Sequence, residues 1–192
     1  LDMDGVYNCA VTHNVIYNIV GKYGVHVRGP NHLIRNNVIH FEGPDVLSPF
    51  ILTPGQRRGF ARMDKPPIGN HQYTYEHNIV WSSLAIIFRI GGQLEKDTFK
   101  RVNSNVYHNP DGKYSFGNMP LDDWRRAGLD AGTRLADPLF VDRAGHDYRL
   151  KPGSPALALG FQEIDTSEIG LKKDFPYRDR GAHGVQSHRK GD

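Results

Sequence analysis

The sequence predicts an all-β fold in which short parallel strands stack as successive coils of a solenoid. The prediction depends on a short pattern that repeats along the chain, and on apolar residues that alternate within its strand-like runs without a helical period. Each copy contains an apolar residue, two polar residues, an Asn and an apolar pair. The copies lie at residues 11–18, 34–40, 75–81 and, more loosely, 102–107.

The Asn of each copy is expected to occupy the same corner of every coil. Successive Asn residues lie 23, 41 and 27 residues apart, as in a solenoid with one long insertion. Parallel strands stack about 4.8 Å apart. An amide at this corner can therefore bond its own turn and the amides of the coils above and below. The predicted column consists of Asn14, Asn37, Asn78 and Asn105.

Two more columns follow from the same repeat. Arg35 and Glu76 each precede their Asn by two residues, which predicts a structural ion pair between coils. Aromatic and His residues occupy the position three residues after each Asn, and we interpret them as packing or turn residues rather than ligands. They are Tyr17, His40, Trp81 and His108.

Residues 1–41 are expected to form two coils in close register. Residues 1–5 align with residues 25–29, and alternation assigns every second side chain to the core. The inward residues are Leu1, Met3, Val25 and Val27. The outward residues are Asp2, Asp4, His26 and Arg28, with Asp2 beside His26 and Asp4 beside Arg28.

Residues 42–70 are irregular, and we expect them to hold a coil's worth of chain together with a long excursion. Three Pro residues occur by position 54, followed by a basic stretch that includes Arg57 and Arg62. Long loops in compact folds often serve as lids or binding loops. The excursion is therefore predicted to fold over the face that bears His26 and Arg28. The alternative is a solvated basic insertion without a role in binding.

The rest of the chain is predicted to add two coils, one short helix and a final coil. Residues 71–109 form the two coils, with a buried strand at residues 84–90. Residues 121–128 predict the helix, because acidic residues stand at its start and a Gly at its end. The final coil is expected at residues 148–150.

Length and composition indicate one domain, with coils at residues 1–170 and a polar tail at residues 171–192. The net charge of +3 is compatible with an acidic sugar polymer and too small to indicate nucleic acid. No apolar run approaches the about 18 residues of a transmembrane helix, and a single Cys excludes an internal disulfide. The first coil has no visible cap and no signal peptide precedes it. We therefore expect the C-terminal part of a longer protein.

The outward residues of the first two coils form the constellation that suggests catalysis. Asp2 and Asp4 alternate on one strand, about 6.5–7 Å apart. Side-chain rotation can bring them to the about 5–5.5 Å of retaining or the about 6.5–9.5 Å of inverting glycosidases. Arg28 would keep Asp4 ionised, while Asp4 would raise the pKa of Asp2. The alternative is that these charges form cross-strand pairs with His26 and Arg28 and serve only the strands.

The chain resembles the right-handed parallel β-helix proteins of the pectate-lyase-like superfamily, in particular their β-helical glycoside hydrolases. The resemblance covers about residues 1–170 and depends on the Asn-Asn-Val-Ile pattern, on residues 71–80, and on residues 137–142 continued by 147–156. It implies a right-handed solenoid with a long inserted loop and one short helix. It does not select one activity, because this fold hosts lyases, hydrolases, esterases and binding proteins.

The resemblance also implies site residues. Similar hydrolases carry acidic residues at a Leu-Asp-x-Asp-Gly strand end, followed one coil later by a strand with a His, which implies catalytic roles for Asp2, Asp4 and His26. This sequence departs from the pattern at Arg28, where a second His is common. His71 matches a His ahead of the Tyr-x-Tyr-Glu-His-Asn coil. This match and the basic excursion together predict the substrate-binding residues Arg28, Arg57, Arg62 and His71.

Together these observations predict a carbohydrate-active protein, in the first place a glycoside hydrolase that acts on a polysaccharide without a cofactor or metal. One alternative is a lyase, in which Asp2 and Asp4 hold Ca²⁺ and an Arg removes the sugar C5 proton. Another is a non-catalytic β-helix that binds a glycan or serves as a structural spike. The expected partner is a poly- or oligosaccharide, with no nucleic acid or membrane. The expected state is a secreted or periplasmic monomer.

Overall fold

The computed structural model describes residues 2–3, 8–19, 23–27, 29–43, 48–52, 72–90, 98–117 and 119–167. Strands dominate these residues and the two helices are short, so the predicted all-β class is confirmed. The strands are β1 (Asp2–Met3), β2 (Ala10–Thr12), β3 (Val15–Ile16), β4 (Tyr23–Val27), β5 (Leu33–Arg35), β6 (Val38–Phe41), β7 (Ser48–Leu52), β8 (Tyr73–Glu76), β9 (Ile79–Ser82), β10 (Ile86–Ile90), β11 (Phe99–Asn103), β12 (Val106–His108), β13 (Ser115–Phe116), β14 (Arg134–Leu135), β15 (Phe140–Asp142) and β16 (Asp147–Leu150). The helices are α1 (Leu121–Arg126) and α2 (Pro155–Ala158).

Three parallel sheets are built from strands that recur at every third position in the chain up to β13, and β14 then joins β12. Sheet A has the order β1-β4-β7-β10-β13, sheet B the order β11-β8-β5-β2, and sheet C the order β14-β12-β9-β6-β3. The chain therefore passes through sheets A, B and C in turn and then returns to sheet A. One such pass is called a circuit below.

The strands form because alternating apolar side chains from all three sheets meet in one core. Val25 and Phe88 of sheet A, Tyr75 of sheet B and Tyr107 of sheet C are fully buried in a single cluster. The ring centroids of Tyr75 and Phe88 lie 4.8 Å apart in an edge-to-face arrangement. Each such side chain contributes about 1.5–3 kcal/mol through burial. The inward positions predicted for Val25 and Val27 are confirmed.

Two boundaries differ from the sequence-based prediction. Ser48–Leu52, assigned to the excursion at residues 42–70, forms β7 and pairs with β4 and β10, because Phe50 alternates into the core. Of the rest of the predicted excursion, residues 44–47 and 53–70 lie outside the described residues. The final coil expected at residues 148–150 is instead part of β16, which forms an antiparallel hairpin with β15 because a tight turn reverses the chain.

The predicted helix is confirmed by α1, which has Asp122 and Asp123 in its first turn and buries Trp124. Gly128 follows it with a φ of 83°, a left-handed conformation that glycine adopts at low cost. The helix lies between β13 of sheet A and β14 of sheet C. In this last circuit the described residues include no strand of sheet B.

The predicted Asn column is confirmed as a chain of side-chain hydrogen bonds, called the Asn ladder below. The Nδ2 groups of Asn14, Asn37 and Asn78 donate to the Oδ1 atom of the next Asn, at 3.0, 2.9 and 3.2 Å. Asn14 is exposed at one end, whereas Asn37, Asn78 and Asn105 are buried. The ladder also accepts backbone N–H groups, such as that of Asn37 at Asn78 Oδ1 (3.1 Å). The corner therefore has bonded amides at every level.

The residue before each ladder Asn makes the corner sharp. His13, Asn36, His77 and Ser104 have φ angles of 56°, 54°, 53° and 57°. The left-handed conformation is strained for residues other than glycine, and Asn tolerates it best. It lets two residues connect a strand of sheet B to the next strand of sheet C. The ladder bonds help to offset its cost.

The Asn ladder ends on two residues that are not part of the repeat. Asn105 N donates to Thr133 Oγ1 at 3.0 Å, and Asn105 Nδ2 donates to Asp130 Oδ1 at 3.0 Å. Asp130 also accepts from Tyr107 Oη at 3.0 Å, from Trp124 Nε1 at 2.8 Å and from Thr133 Oγ1. Burial raises the pKa of Asp130 above its ordinary value, against the effect of these four donors.

The predicted ion pair on sheet B is confirmed and has a third member. Arg35 Nη2 lies 3.1 Å from Glu76 Oε1, and Arg101 Nε lies 3.0 Å from Glu76 Oε2. The Glu76 side chain is almost fully buried, whereas both Arg side chains are about half exposed. The carboxylate is thus held between two cations of adjacent circuits and serves the sheet.

The outer face of sheet C is covered by the C-terminal part of the chain. The hairpin and α2 bury Phe140, Tyr148 and Ala156 against the outward side chains Val38 and Trp81. Across the described ranges, neither helix has the length and apolar character needed to cross a membrane.

Candidate functional site

Backbone pairing places four residues from four circuits in one row across sheet A, called the sheet A row: Asp2, His26, Ile51 and Arg89. The pairing of β1 with β4 places Asp2 opposite His26, which confirms the predicted register. His26 lies opposite Ile51, and Ile51 opposite Arg89. Adjacent strands are about 4.8 Å apart, so three strand spacings separate the backbone of Asp2 from that of Arg89.

His26 is covered, whereas the sequence predicted a solvent-open position. Its exposed fraction is 8%. The ring of Tyr23 lies 5.6 Å from the His26 ring, and the neighbouring Ile51 is itself only 7% exposed. The prediction of an open groove at His26 is therefore wrong. Packing of this kind fixes the orientation of the imidazole, which is what a positioned proton donor or acceptor requires.

Arg89 is the residue of this face that sequence reasoning missed. It alternates with Phe88 and Ile90, whose side chains belong to the core, so its own side chain points outward. Within the described ranges, Arg89 Nε is buried and has no hydrogen-bond partner. A buried donor without a partner is costly, by about 1–3 kcal/mol. The signal in the sequence is a lone Arg inside the apolar run at residues 84–90.

The other residues of the predicted site lie outside the described residues. They are Asp4, Arg28, Arg57, Arg62 and His71. Asp2 is described by the backbone pairing of β1. The roles of these residues stay predictions.

The sheet A row can supply the parts of an acid–base site. A carboxylate and an imidazole on adjacent strands can share or exchange a proton with a bound group. A guanidinium with a free donor can bind a carboxylate or the hydroxyls of a sugar. In the part of the chain that the structure describes, no group of three or more His, Cys, Asp or Glu residues is arranged to hold a metal ion.

Comparison with known proteins gives a partial similarity. The chain is 34% identical over 90 residues to a Bacillus subtilis (strain 168) protein described as "Uncharacterized protein YwoF". The aligned part covers 43% of this chain and 19% of that protein. No protein-family model matches the chain, and no solved structure matches it. The function is therefore argued from the geometry.

Proposed function

We propose that this protein is a carbohydrate-active, right-handed parallel β-helix of the pectate-lyase-like superfamily, and that it hydrolyses a polysaccharide at the sheet A row. The observation that carries the proposal is the parallel pairing of Asp2 with His26. Hydrolysis of a glycosidic bond needs one group that protonates the leaving oxygen and one ionised carboxylate. Asp2 and Asp4 are the proposed carboxylates, and His26 is the proposed partner that positions a proton beside them.

The fold part of the proposal is supported by the strand order. Each complete circuit contributes one strand to each of three parallel sheets, and the Asn ladder stands at the same corner of each circuit. Three parallel sheets that each gain one strand per circuit support a β-helix, and parallel crossovers are right-handed in the great majority of proteins. A polymer substrate is too large to enter a cell, so a secreted or periplasmic location belongs to the same proposal.

Arg89 favours a second candidate, the β-elimination of an acidic polysaccharide. Its buried Nε has no partner among the described residues, and it stands on the same face as Asp2. Such a guanidinium can bind the carboxylate of a uronic acid. In an elimination, Asp2 and Asp4 would hold Ca²⁺ and an Arg would accept the sugar C5 proton. The two candidates differ in their products, because elimination leaves an unsaturated sugar.

The test is a turnover assay of the full-length protein on plant and algal polysaccharides, with and without EDTA. Reducing ends report hydrolysis or elimination, and ultraviolet absorbance reports the unsaturated product. Asp4→Asn is expected to lower turnover by orders of magnitude. If Asp4 belongs to a surface pair, the substitution should change the free energy of unfolding by only about 0–1 kcal/mol. The matched control is Asp122→Asn, a carboxylate in the first turn of α1, which should leave turnover unchanged.

Each outcome decides between the candidates. Reducing ends without absorbance, unaffected by EDTA, support hydrolysis, whereas absorbance that EDTA abolishes supports elimination. An Asp4→Asn protein with full turnover would contradict the proposed pair of carboxylates, Asp2 and Asp4. Glycan binding without turnover in the wild type would support the non-catalytic alternative.

A further inference from the structure

A pocket lies between the hairpin, the segment after α2 and the outer face of sheet C. Its volume is about 390 Å³. This is at the small end of the about 300–1,000 Å³ typical of small-molecule sites, with room for a mono- or disaccharide. Its walls include exposed and polar side chains from four parts of the chain. Those used below are His13, Tyr17, His146, Tyr148, Arg149 and Glu163.

The pocket has an aromatic wall that is held in place. Tyr17 is 42% exposed, and its ring lies 4.7 Å from that of His146 and 5.4 Å from that of Tyr148. Tyr148 is in turn fixed by a hydrogen bond of 2.7 Å between its hydroxyl and His40 Nδ1. Tyrosine combines an apolar ring with a polar tip. The C–H face of a pyranose ring can pack on such a ring, because both surfaces are apolar.

Polar groups that can bond sugar hydroxyls stand beside this wall. Glu163 Oε1 accepts from Leu150 N at 3.1 Å, and no described residue bonds Glu163 Oε2. Arg149 is exposed and is held by Asp147, with Nε–Oδ1 at 2.9 Å. His13 donates from Nε2 to Gln162 Oε1 at 3.1 Å at the rim of the pocket. A few fixed donors and acceptors around an aromatic surface are the usual means of orienting a small polar ligand.

The charges of the pocket favour an uncharged ligand. Asp147 compensates Arg149, since Asp147 Oδ2 also lies 2.5 Å from Arg149 Nη2. Glu163 forms no ion pair among the described residues, although its charge contributes, after the hydrogen bond with Asp147, to the raised pKa of Arg149. A uronic acid in the pocket would place its carboxylate near that of Glu163, which costs energy. Arg89 of the sheet A row instead favours a negatively charged ligand.

We propose that this pocket is a second carbohydrate site, distinct from the sheet A row, which binds a neutral sugar residue by stacking on Tyr17 and hydrogen bonding to Glu163 and Arg149. The proposal takes its ligand class from the proposed function, but it requires no catalysis. A neutral stretch of the polysaccharide bound in this way would hold the polysaccharide against the outer face of sheet C.

The test is calorimetric titration of the full-length protein with cellohexaose, xylohexaose and mannohexaose, and with hexagalacturonate as the charged comparison. At least one neutral hexasaccharide is expected to bind the wild type. Tyr17→Ala should weaken that binding by about tenfold, the size of one aromatic stacking contact. Tyr17→Phe is the matched control, because it keeps the ring, and it should stay within about twofold of the wild type.

Glu163→Gln separates charge from packing. Gln retains an acceptor for Leu150 N, and the loss of the negative charge should strengthen hexagalacturonate binding relative to the neutral sugars. Circular dichroism and the unfolding midpoint verify that each variant is folded. The proposal is overturned if no neutral hexasaccharide binds, if hexagalacturonate alone binds, or if Tyr17→Ala binds as tightly as the wild type.

Turnover distinguishes this inference from the proposed function. If Asp4→Asn abolishes turnover and Tyr17→Ala has no effect on binding, the second site is contradicted and the catalytic proposal is not. Binding that depends on Tyr17, in a protein with no turnover on any polysaccharide, would support the second site and remove the catalytic proposal alone.

Discussion

The Asn ladder and the hairpin contact on sheet C hold their polar groups in different ways. The ladder repeats one side chain at one corner, and each amide bonds its neighbour on the next circuit. The hairpin contact instead joins unlike residues that are distant in sequence, such as His40 with Tyr148 and Arg143 with Glu42. The bonds of an amide do not depend on pH, whereas the bonds of a histidine change when its ring is protonated. We therefore expect the stability that a ladder residue contributes to vary with its position in the ladder. The stability that the hairpin contact contributes should vary with pH.

The largest effect is expected inside the ladder. Asn78→Ala removes the acceptor of Asn37 N and Asn37 Nδ2 and the donor to Ile34 O. Because these groups are buried, we expect a loss of about 3–5 kcal/mol in the free energy of unfolding, measured by denaturant titration. The matched control is Asn14→Ala at the exposed end of the ladder, which should lose about 1 kcal/mol or less. Equal losses at the two positions would mean that burial does not determine how much each ladder Asn contributes to stability.

The end of the ladder should be the next most sensitive point. Asp130→Asn replaces one acceptor oxygen by an amide NH₂ that must face donors such as Trp124 Nε1 or Tyr107 Oη. We expect a loss of about 2–4 kcal/mol in the same titration. The control is Asp123→Asn, a partly exposed carboxylate paired with Arg126 on α1, for which about 0.5 kcal/mol or less is expected. An unchanged Asp130→Asn protein would show that the ladder needs no carboxylate at its end.

The smallest effect concerns pH and the hairpin contact. Burial lowers the pKa of His40 below its ordinary 6.5; Glu42 opposes this shift and Arg143 adds to it. Because the folded-state pKa is depressed, the stability that neutral His40 contributes is complete above about pH 6.5. It is lost as the pH falls through the folded-state value. The free energy of unfolding should therefore decrease on acidification from about pH 7.5 to about pH 5, and less so in His40→Gln.

His77 sharpens the same comparison, because it lies beside the ladder. Burial lowers its pKa as well, with Arg35 and Arg101 adding to the shift against Glu76. His77→Asn is the test, since Asn36 holds the equivalent left-handed position one circuit earlier. It should reduce the acid sensitivity while leaving the ladder bonds intact. Identical pH profiles for the wild type and both His variants would contradict a titration of these rings.

The repeat could be predicted from sequence because each circuit faces the same local problem. A corner between two strands leaves backbone groups to be bonded, and an Asn at that corner bonds them in every copy. The pairing of Asp2 with His26 could be predicted in the same way, from the alternation of side chains and the offset of 24 residues between the first two coils. The burial of His26 did not follow, because it depends on what packs beside the ring, here Tyr23 and Ile51.

Two features could not be predicted because they are not part of the repeat. Arg89 looked like one polar residue in an apolar run, and its unbonded Nε became visible only with its neighbours in place. The residues that line the pocket near Tyr17 come from separate parts of the chain, and the β15–β16 hairpin was expected to be a coil.

The sequence by itself determined the all-β class, the Asn ladder, the Arg35–Glu76 pair and the helix at α1. These depend on interactions whose spacing recurs along the chain or whose residues are neighbours in it. The tertiary structure alone decided that β7 belongs to sheet A, that β15 and β16 form a hairpin, and that Asp130 closes the ladder. These depend on which surfaces meet after folding, and contacts between distant segments have no fixed spacing in the sequence.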